Sequence, residues 1–420
     1  MASPLRFILA WIACLLALAA AVVAVNYIID PYDVFGTPRY AHLNLLKPAP
    51  KTHPLLSKTY QIGRAHPATV LIGSSPTYLG LDANDKAWPK ALQPVYNYGI
   101  PGNYSPSIGL QTLREAIAVG DIKQAVVFID FQNFFVPERL ADAPTEDDRR
   151  FHRLADGAPN PDRPEQVGLD MFLALFTMGA LVDSGATVLR QTDPNALNLS
   201  PNGTATESDF ANAARWDGMH DLFAQKADSE AAAAAVIARG LAGWQGPMPN
   251  LDAVAQIIDL AIAHHVKLTL VIAPHHASSM ELYWRVGLWP RVEELKQQLA
   301  DMVARKDHGV VLWDFMDYSS YSTEPVPPAG DRHTPTQWFW EATHFKQPLG
   351  HLIIARINGA QSPDFGRILT PETVAARNAE VRAQRDAVVC QEGKDFLLTS
   401  LAVVPDDGCN RPTQAARSTN

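Results

Sequence analysis

Thr69–Asp82 reads TVLIGSSPTYLGLD, and this stretch decides the fold. Thr69 to Ile72 is a short apolar, strand-like run that stops at Gly73-Ser74-Ser75-Pro76. Two adjacent serines therefore stand where the strand hands over to the next element. Ser-Ser-Pro after a strand is a common turn, and most such serines only shape it. Whether one of them is a nucleophile depends on what the rest of the chain brings to the same place.

Working outward, four more runs have strand character: Val95–Tyr98, Ala125–Ile129 (AVVFI), Lys267–Ala273 (KLTLVIA) and Gly309–Trp313 (GVVLW). Helical patterns lie between them, for example Leu110–Ile117 and Leu251–His264. Strands rich in Val and Ile that alternate with amphipathic helices predict a parallel five-stranded sheet with helices on both faces, a three-layer α/β domain over residues 67–357. The chain between the third and fourth strands is far longer than one crossover needs. Residues 137–250 contain LDMFLALFTMGALV and SEAAAAAVIARGLAGW, which predict a helical insertion beside the strand carboxyl ends, where it shapes a substrate groove. Residues 30–66, rich in Pro, Lys and His, predict an extended stalk, and residues 358–420 a polar helix (PETVAARNAEVRAQRDAVV) followed by a two-cysteine tail.

Residues 1–29 hold the longest apolar run. Phe7 to Val25 reads FILAWIACLLALAAAVVAV without a charge, a helix of roughly 30 Å that matches a bilayer core. Arg6 precedes it, and Asp30 and Asp33 follow it. The positive-inside rule then leaves the N-terminus in the cytoplasm and exports the rest, as a single-pass protein of a bacterial inner membrane with its domain in the periplasm. A cleaved signal peptide is the alternative. Cys14 lacks a lipobox, because Trp11 stands where Leu is expected, and reads as lipid-facing. Cys390 and Cys409 are expected to pair, since an exported chain permits a disulfide. The net charge of −9 excludes nucleic acid as a partner, there being no basic stripe to neutralise phosphates.

In an open α/β sheet, ligands bind outside the carboxyl ends of the strands. Four polar blocks fall there: Gly73-Ser74-Ser75, Asn97 to Asn103 (NYGIPGN), Asp130-Phe131-Gln132-Asn133, and Glu341-Ala342-Thr343-His344 ahead of an amphipathic helix. Their order resembles the SGNH (GDSL-type) hydrolase family over residues 66–357, excluding the insertion. That family has a Gly-Asp-Ser turn after its first strand, a block with a Gly, a Gly-x-Asn-Asp block and a late Asp-x-x-His. The nearest resemblance is to membrane-anchored exported members that acylate polysaccharides, such as alginate-type O-acetyltransferases, which also favour Gly-Ser-Ser. It implies a flavodoxin-like sheet, Ser75 as nucleophile, His344 as base and Glu341 as acid. It also implies an oxyanion hole of the Ser75 and Gly102 N–H groups with an amide from Gln132, by register, or Asn133, by residue type. Its implied partners are a glycan or other acyl acceptor and a membrane-bound acyltransferase that supplies the acyl group. Two departures stand out: Glu341 replaces the family's Asp, and Asp130 stands where the third block's Gly belongs.

The residue types agree with that chemistry. A serine hydroxyl needs a base to take its proton, and an imidazole serves if a carboxylate fixes its tautomer. Developing negative charge needs preorganised donors. Asn97, Asp130, His275, His276 and Asp317 end strands on the same side and are candidate substrate contacts, with Asp317 also a reserve acid. His275-His276 has no third ligand at zinc-like spacing, so no metal is expected. The absence of a Walker or complete Gly-x-Gly-x-x-Gly motif argues against a nucleotide, and no cofactor is expected. Two functions compete: an exported serine esterase or O-acyltransferase acting on a glycan, and a silent module of the same fold that binds a glycan or scaffolds a secretion complex.

Overall fold

β1 (Thr69–Ile72) is fully buried inside the sheet, between the edge strand β2 (Val95–Asn97) and β3 (Gln124–Ile129). Coordinates come from a computed structural model, which describes residues 4–102, 104–135, 146–306, 308–362, 364–398 and 409. Asn103, the first residues of the insertion from 137, and most of the tail lie outside the described residues. Before β1 come α1 (Pro4–Ile29) and α2 (Pro54–Ala65); α3 (Ser75–Gly80) follows β1 and α4 (Pro106–Val119) follows β2. The insertion after β3 comprises α5 (Glu146–Arg150), α6 (Arg163–Phe176), α7 (Met178–Leu189), α8 (Ser208–Asp217) and α9 (Met219–Gly240). Then come α10 (Leu251–Ala263), β4 (Lys267–Ile272), α11 (Ala277–Arg285), α12 (Trp289–Lys306), β5 (Val311–Asp314), α13 (Gln347–Ile357), β6 (Arg367–Ile368) and α14 (Val374–Arg385).

The sheet order is β2-β1-β3-β4-β5-β6. The first five strands are parallel, in a doubly wound order that reverses between β1 and β3, where such sheets bind ligands. The sheet has six strands rather than the expected five. β6 pairs antiparallel with β5 through Trp313↔Ile368 and Asp314↔Arg367, and its two residues form no apolar run that could announce it. Alternation divides the core in two. Val70, Val127, Leu270 and Leu312 face one layer with Leu113, Ile257 and Leu299. Leu71, Val126, Phe128, Val271 and Trp313 face the other with Leu349, Ile353 and Phe345.

Residues 30–66 are not an extended stalk but fold onto the domain. The Asp30 carboxylate accepts N–H bonds from Val34 (2.9 Å) and Gly36 (2.8 Å). α2 sends Leu55 and Ile62 into the core. Its Lys58 is buried, and Nζ donates to the carbonyls of Asn97 (2.5 Å) and Gly203 (2.8 Å). Burial pushes that amine well below its ordinary pKa. Cys390 and Cys409 form a disulfide with a Cα–Cα separation of 5.4 Å, while Cys14 is free and exposed. Among the described residues α1 is the one single helix long and apolar enough to cross a membrane.

Candidate active site

Ser75 opens α3, directly after the β1 turn, with Ser74 at the N-cap position. The turn is tight. A Cβ on Gly73 would meet Thr77 Oγ1 at 2.1 Å, so only glycine lets α3 start this close to β1. Asn97 pins the same helix from β2. Its amide donates to the carbonyls of Thr77 and Leu81, both at 2.8 Å, and its oxygen accepts the Gly99 N–H at 2.9 Å. Fully buried and spent on backbone, Asn97 fixes the start of α3 and is not an open contact.

Across the sheet the segment before α13 forms a tight loop. Trp340 N–H donates to the His344 carbonyl and Lys346 N–H to the Trp338 carbonyl, both at 2.8 Å. Glu341 and His344 thus face each other across one turn. Ser75 Oγ lies 2.7 Å from His344 Nε2. His344 Nδ1 is hydrogen-bonded to Glu341 Oε1, which also accepts the His344 backbone N–H at 2.7 Å and the Thr343 hydroxyl at 3.2 Å. Glu341 is buried, and burial favours its neutral form. The His344 ring, Lys226 and the His344 N–H outweigh burial and hold the carboxyl below its ordinary value. The result is a Ser–His–carboxylate chain with the acid charged and Nδ1–H directed at it, so that Nε2 is free to accept the serine proton.

The insertion supplies the wall above this chain. An open cleft of about 390 Å³ is lined by Asp209, Phe210, Ala213, Leu222, Gln225 and Lys226, with Glu341 and His344 at its base. Phe210 packs on the His344 ring (centroids 5.1 Å apart) and stacks on Trp340 (6.0 Å). Lys226 pairs with Glu230 at 3.1 Å. Sequence reasoning missed Phe210 and Lys226. The one local signal was the Lys226–Glu230 spacing, which by itself reads as an ordinary surface helix pair.

The remaining candidates divide. Gly102 has φ +93°, a conformation that side chains avoid, and open space where a Cβ would go. The Gln132 amide is committed to the Tyr283 hydroxyl at 2.8 Å. Asn133 Nδ2 is buried and has no hydrogen-bond partner among the described residues. Asp130 faces His275 at 3.5 Å. Burial opposes both charges, but each favours the other's charged form: the Asp130 carboxyl is lowered and His275 raised. His275 also contacts Ser279, whose hydroxyl donates to Glu230 at 2.7 Å, so this buried network ends beside Lys226. Asp317 is 1% exposed and bound to Arg377 at 2.7 Å, not to His344, so it is neither the triad acid nor an open contact.

His276 is likewise structural. Nδ1 accepts the Ser278 N–H at the start of α11, and Nε2 donates to the Glu324 carbonyl at 2.9 Å, between the rings of Phe223 and Phe339. Burial lowers its pKa from 6.5 to about 4. A depressed histidine leaves stability intact above pH 6.5 and erodes it as pH falls towards 4, because only the unfolded chain takes the proton. Between pH 7.5 and pH 5 this amounts to about 2 kcal/mol. His276→Asn, which keeps an N-cap acceptor, should show a loss over that interval smaller by this amount when unfolding is followed by tryptophan fluorescence. Parallel pH profiles for variant and wild type would contradict the assignment.

No protein-family model matches the chain, and no curated protein matches it significantly.

Proposed function

We propose that this chain is a membrane-anchored, exported serine acyl-enzyme of SGNH type that moves an acyl group, acetyl first, on a cell-envelope glycan. The observation that carries this is the contact of Ser75 Oγ with His344 Nε2 at 2.7 Å, with Glu341 bonded to the opposite ring nitrogen. His344 takes the Ser75 proton as the hydroxyl oxygen attacks the acyl carbonyl. The backbone N–H groups of Ser75 and Gly102 hold the oxyanion, together with the unpartnered Asn133 amide, since the Gln132 amide is already bound. The tetrahedral adduct collapses, His344 returns its proton to the leaving oxygen, and the acyl group stays on Ser75. An acceptor hydroxyl then gives its proton to His344 and attacks the acyl-serine; the second tetrahedral adduct collapses, the Ser75–acyl bond breaks, His344 returns the proton to Ser75 Oγ and the new ester leaves, water in the acceptor's place giving the free acid.

Two features support a sugar acceptor. The cleft pairs the aromatic face of Phe210 with the polar groups of Asp209, Gln225 and Lys226, which suits a ring with apolar faces and hydroxyl edges. The apolar α1 supports an anchored enzyme that receives its acyl group from a membrane-bound donor. The test is turnover of a chromogenic acetyl ester by the full chain in detergent, with and without an oligosaccharide acceptor. Turnover that the acceptor accelerates, with acyl-sugar as product, is expected. No turnover on any ester would leave a glycan-binding module.

A further inference from the structure

α6 and α7 are built inside out. Apart from exposed Glu165 in the first turn of α6, their polar side chains turn towards the protein. Asp170 is bound by Nε and Nη2 of Arg150, both at 2.8 Å, and by the Tyr60 hydroxyl at 2.9 Å, Asp183 by the Tyr32 hydroxyl at 2.6 Å, and buried Ser184 by Asn26 at 2.9 Å. Their large apolar side chains face outward: Phe172, Phe176, Met178, Val182 and Leu189 are all more than half exposed. Phe172 and Phe176 stack on each other at 5.0 Å. The two helices meet at a 62° bend at Thr177, and Met171 to Val182 carries no charge.

The apex of the bend is fastened to α1. Asn26 donates to the Leu175 carbonyl at 2.9 Å, and Val22 and Val23 are partly covered, whereas the preceding turns of α1 are exposed throughout. The end of α1 is itself fixed. Lys47 Nζ donates to the carbonyls of Ile29 (3.2 Å) and Asp30 (2.6 Å), and Asn44 to that of Ile28 (3.0 Å). The apolar surface of α6–α7 is therefore continuous with that of α1, over its last one to two turns. Val22 lies about 6 Å before Asn26 along the helix axis, a depth typical of helices that rest in the headgroup and upper acyl region.

We infer that α6–α7 is a wedge seated in the outer leaflet of the bilayer that α1 crosses, a second membrane contact that fixes the orientation of the catalytic domain. Neither helix is long enough to cross alone, and the 62° bend, with the polar faces of both helices docked on the domain, favours a pair that enters and leaves on one side over a broken span. The occupant is lipid because α1 demands lipid around the same surface. The inference rests on α1 as an anchor but not on the proposed chemistry.

The test uses the full chain in lipid nanodiscs, with bimane on Cys14, or on Met178→Cys or Lys123→Cys in a Cys14→Ala background. Nitroxide lipids labelled near the headgroup or near the chain end probe depth, and iodide probes water. The expected result is Met178→Cys fluorescence quenched at least roughly twofold more by the shallow nitroxide than by the deep one, and shielded from iodide, with exposed Lys123→Cys reached by iodide alone. Phe172→Cys should repeat the Met178→Cys pattern. Iodide access at Met178 equal to that at Lys123 would overturn the wedge. So would shielding from all three quenchers, which would mean a second copy of the chain covers the face, or strongest quenching by the deep nitroxide, which would mean a crossing. A Cys14 label that no lipid reaches would defeat the anchor, and the wedge with it.

Discussion

Ser75→Ala is expected to lower both esterase and acyl-transfer turnover by at least about 10³-fold, and His344→Ala should do the same. The two side chains act as one device: without the imidazole the hydroxyl keeps its proton, and without the hydroxyl the imidazole has nothing to activate. The double variant should therefore be little worse than either single one. Glu341→Ala should be roughly tenfold to a hundredfold milder, because the loop that holds His344 is also fixed by backbone bonds on both sides of it. Ser74→Ala should retain the chemistry, since Ser74 stands at the N-cap position without a side-chain capping bond. Steady-state rates on a chromogenic acetyl ester check all four. Full activity in Ser75→Ala, with loss in Ser74→Ala, would move the nucleophile by one residue.

The largest effect on stability is expected at Arg377. This residue of α14 is 4% exposed and bridges Asp314 (3.0 Å) and Asp317 (2.7 Å) at the end of β5. Burial disfavours the Asp314 charge, but Lys296 and Arg377 beside it hold its carboxyl below the usual range. Arg377→Met keeps the stem and removes the guanidinium. Lys296 still covers Asp314, but Asp317 is left buried and uncompensated, at a cost of about 3–5 kcal/mol. Adding Asp317→Asn should recover part of the loss, because it removes the stranded charge. Urea unfolding of the wild type, the single variant and the double variant measures both. A loss under about 1 kcal/mol in Arg377→Met would mean that solvent reaches this network.

Some of this was legible in the chain and some was not, for physical reasons. β1, β3 and β4 are buried on both faces over nearly their whole length, so their sequences are mainly apolar, broken only by Thr69, Gln124, Lys267 and Thr269. The Ser75 and His344 blocks sit at strand or helix boundaries, where local pattern locates them. β6 was invisible because two residues carry no period. Residues 30–66 looked like a stalk because Lys47 and Lys58 read as solvated charges, yet both reach backbone carbonyls inside the fold. Asn97, His276 and Asp317 were placed at the correct end of the sheet, but sequence does not say whether a polar side chain turns towards substrate or towards the backbone beside it. Phe210 and Lys226 enter from an insertion helix whose docking only tertiary packing decides. LDMFLALFTMGALV announced a helical segment, but which way Phe172 and Met178 face is decided by tertiary packing.

The central claim is that Ser75 carries the acyl group, and the most direct measurement is mass spectrometry of the full chain acid-quenched during turnover of an acetyl ester. The expected result is a mass gain of one acetyl group, mapped by proteolysis to Ser75 and absent from Ser75→Ala and His344→Ala. An acetyl group on Ser74 or on any other residue, or steady turnover with no covalent adduct at the earliest quench, would contradict it.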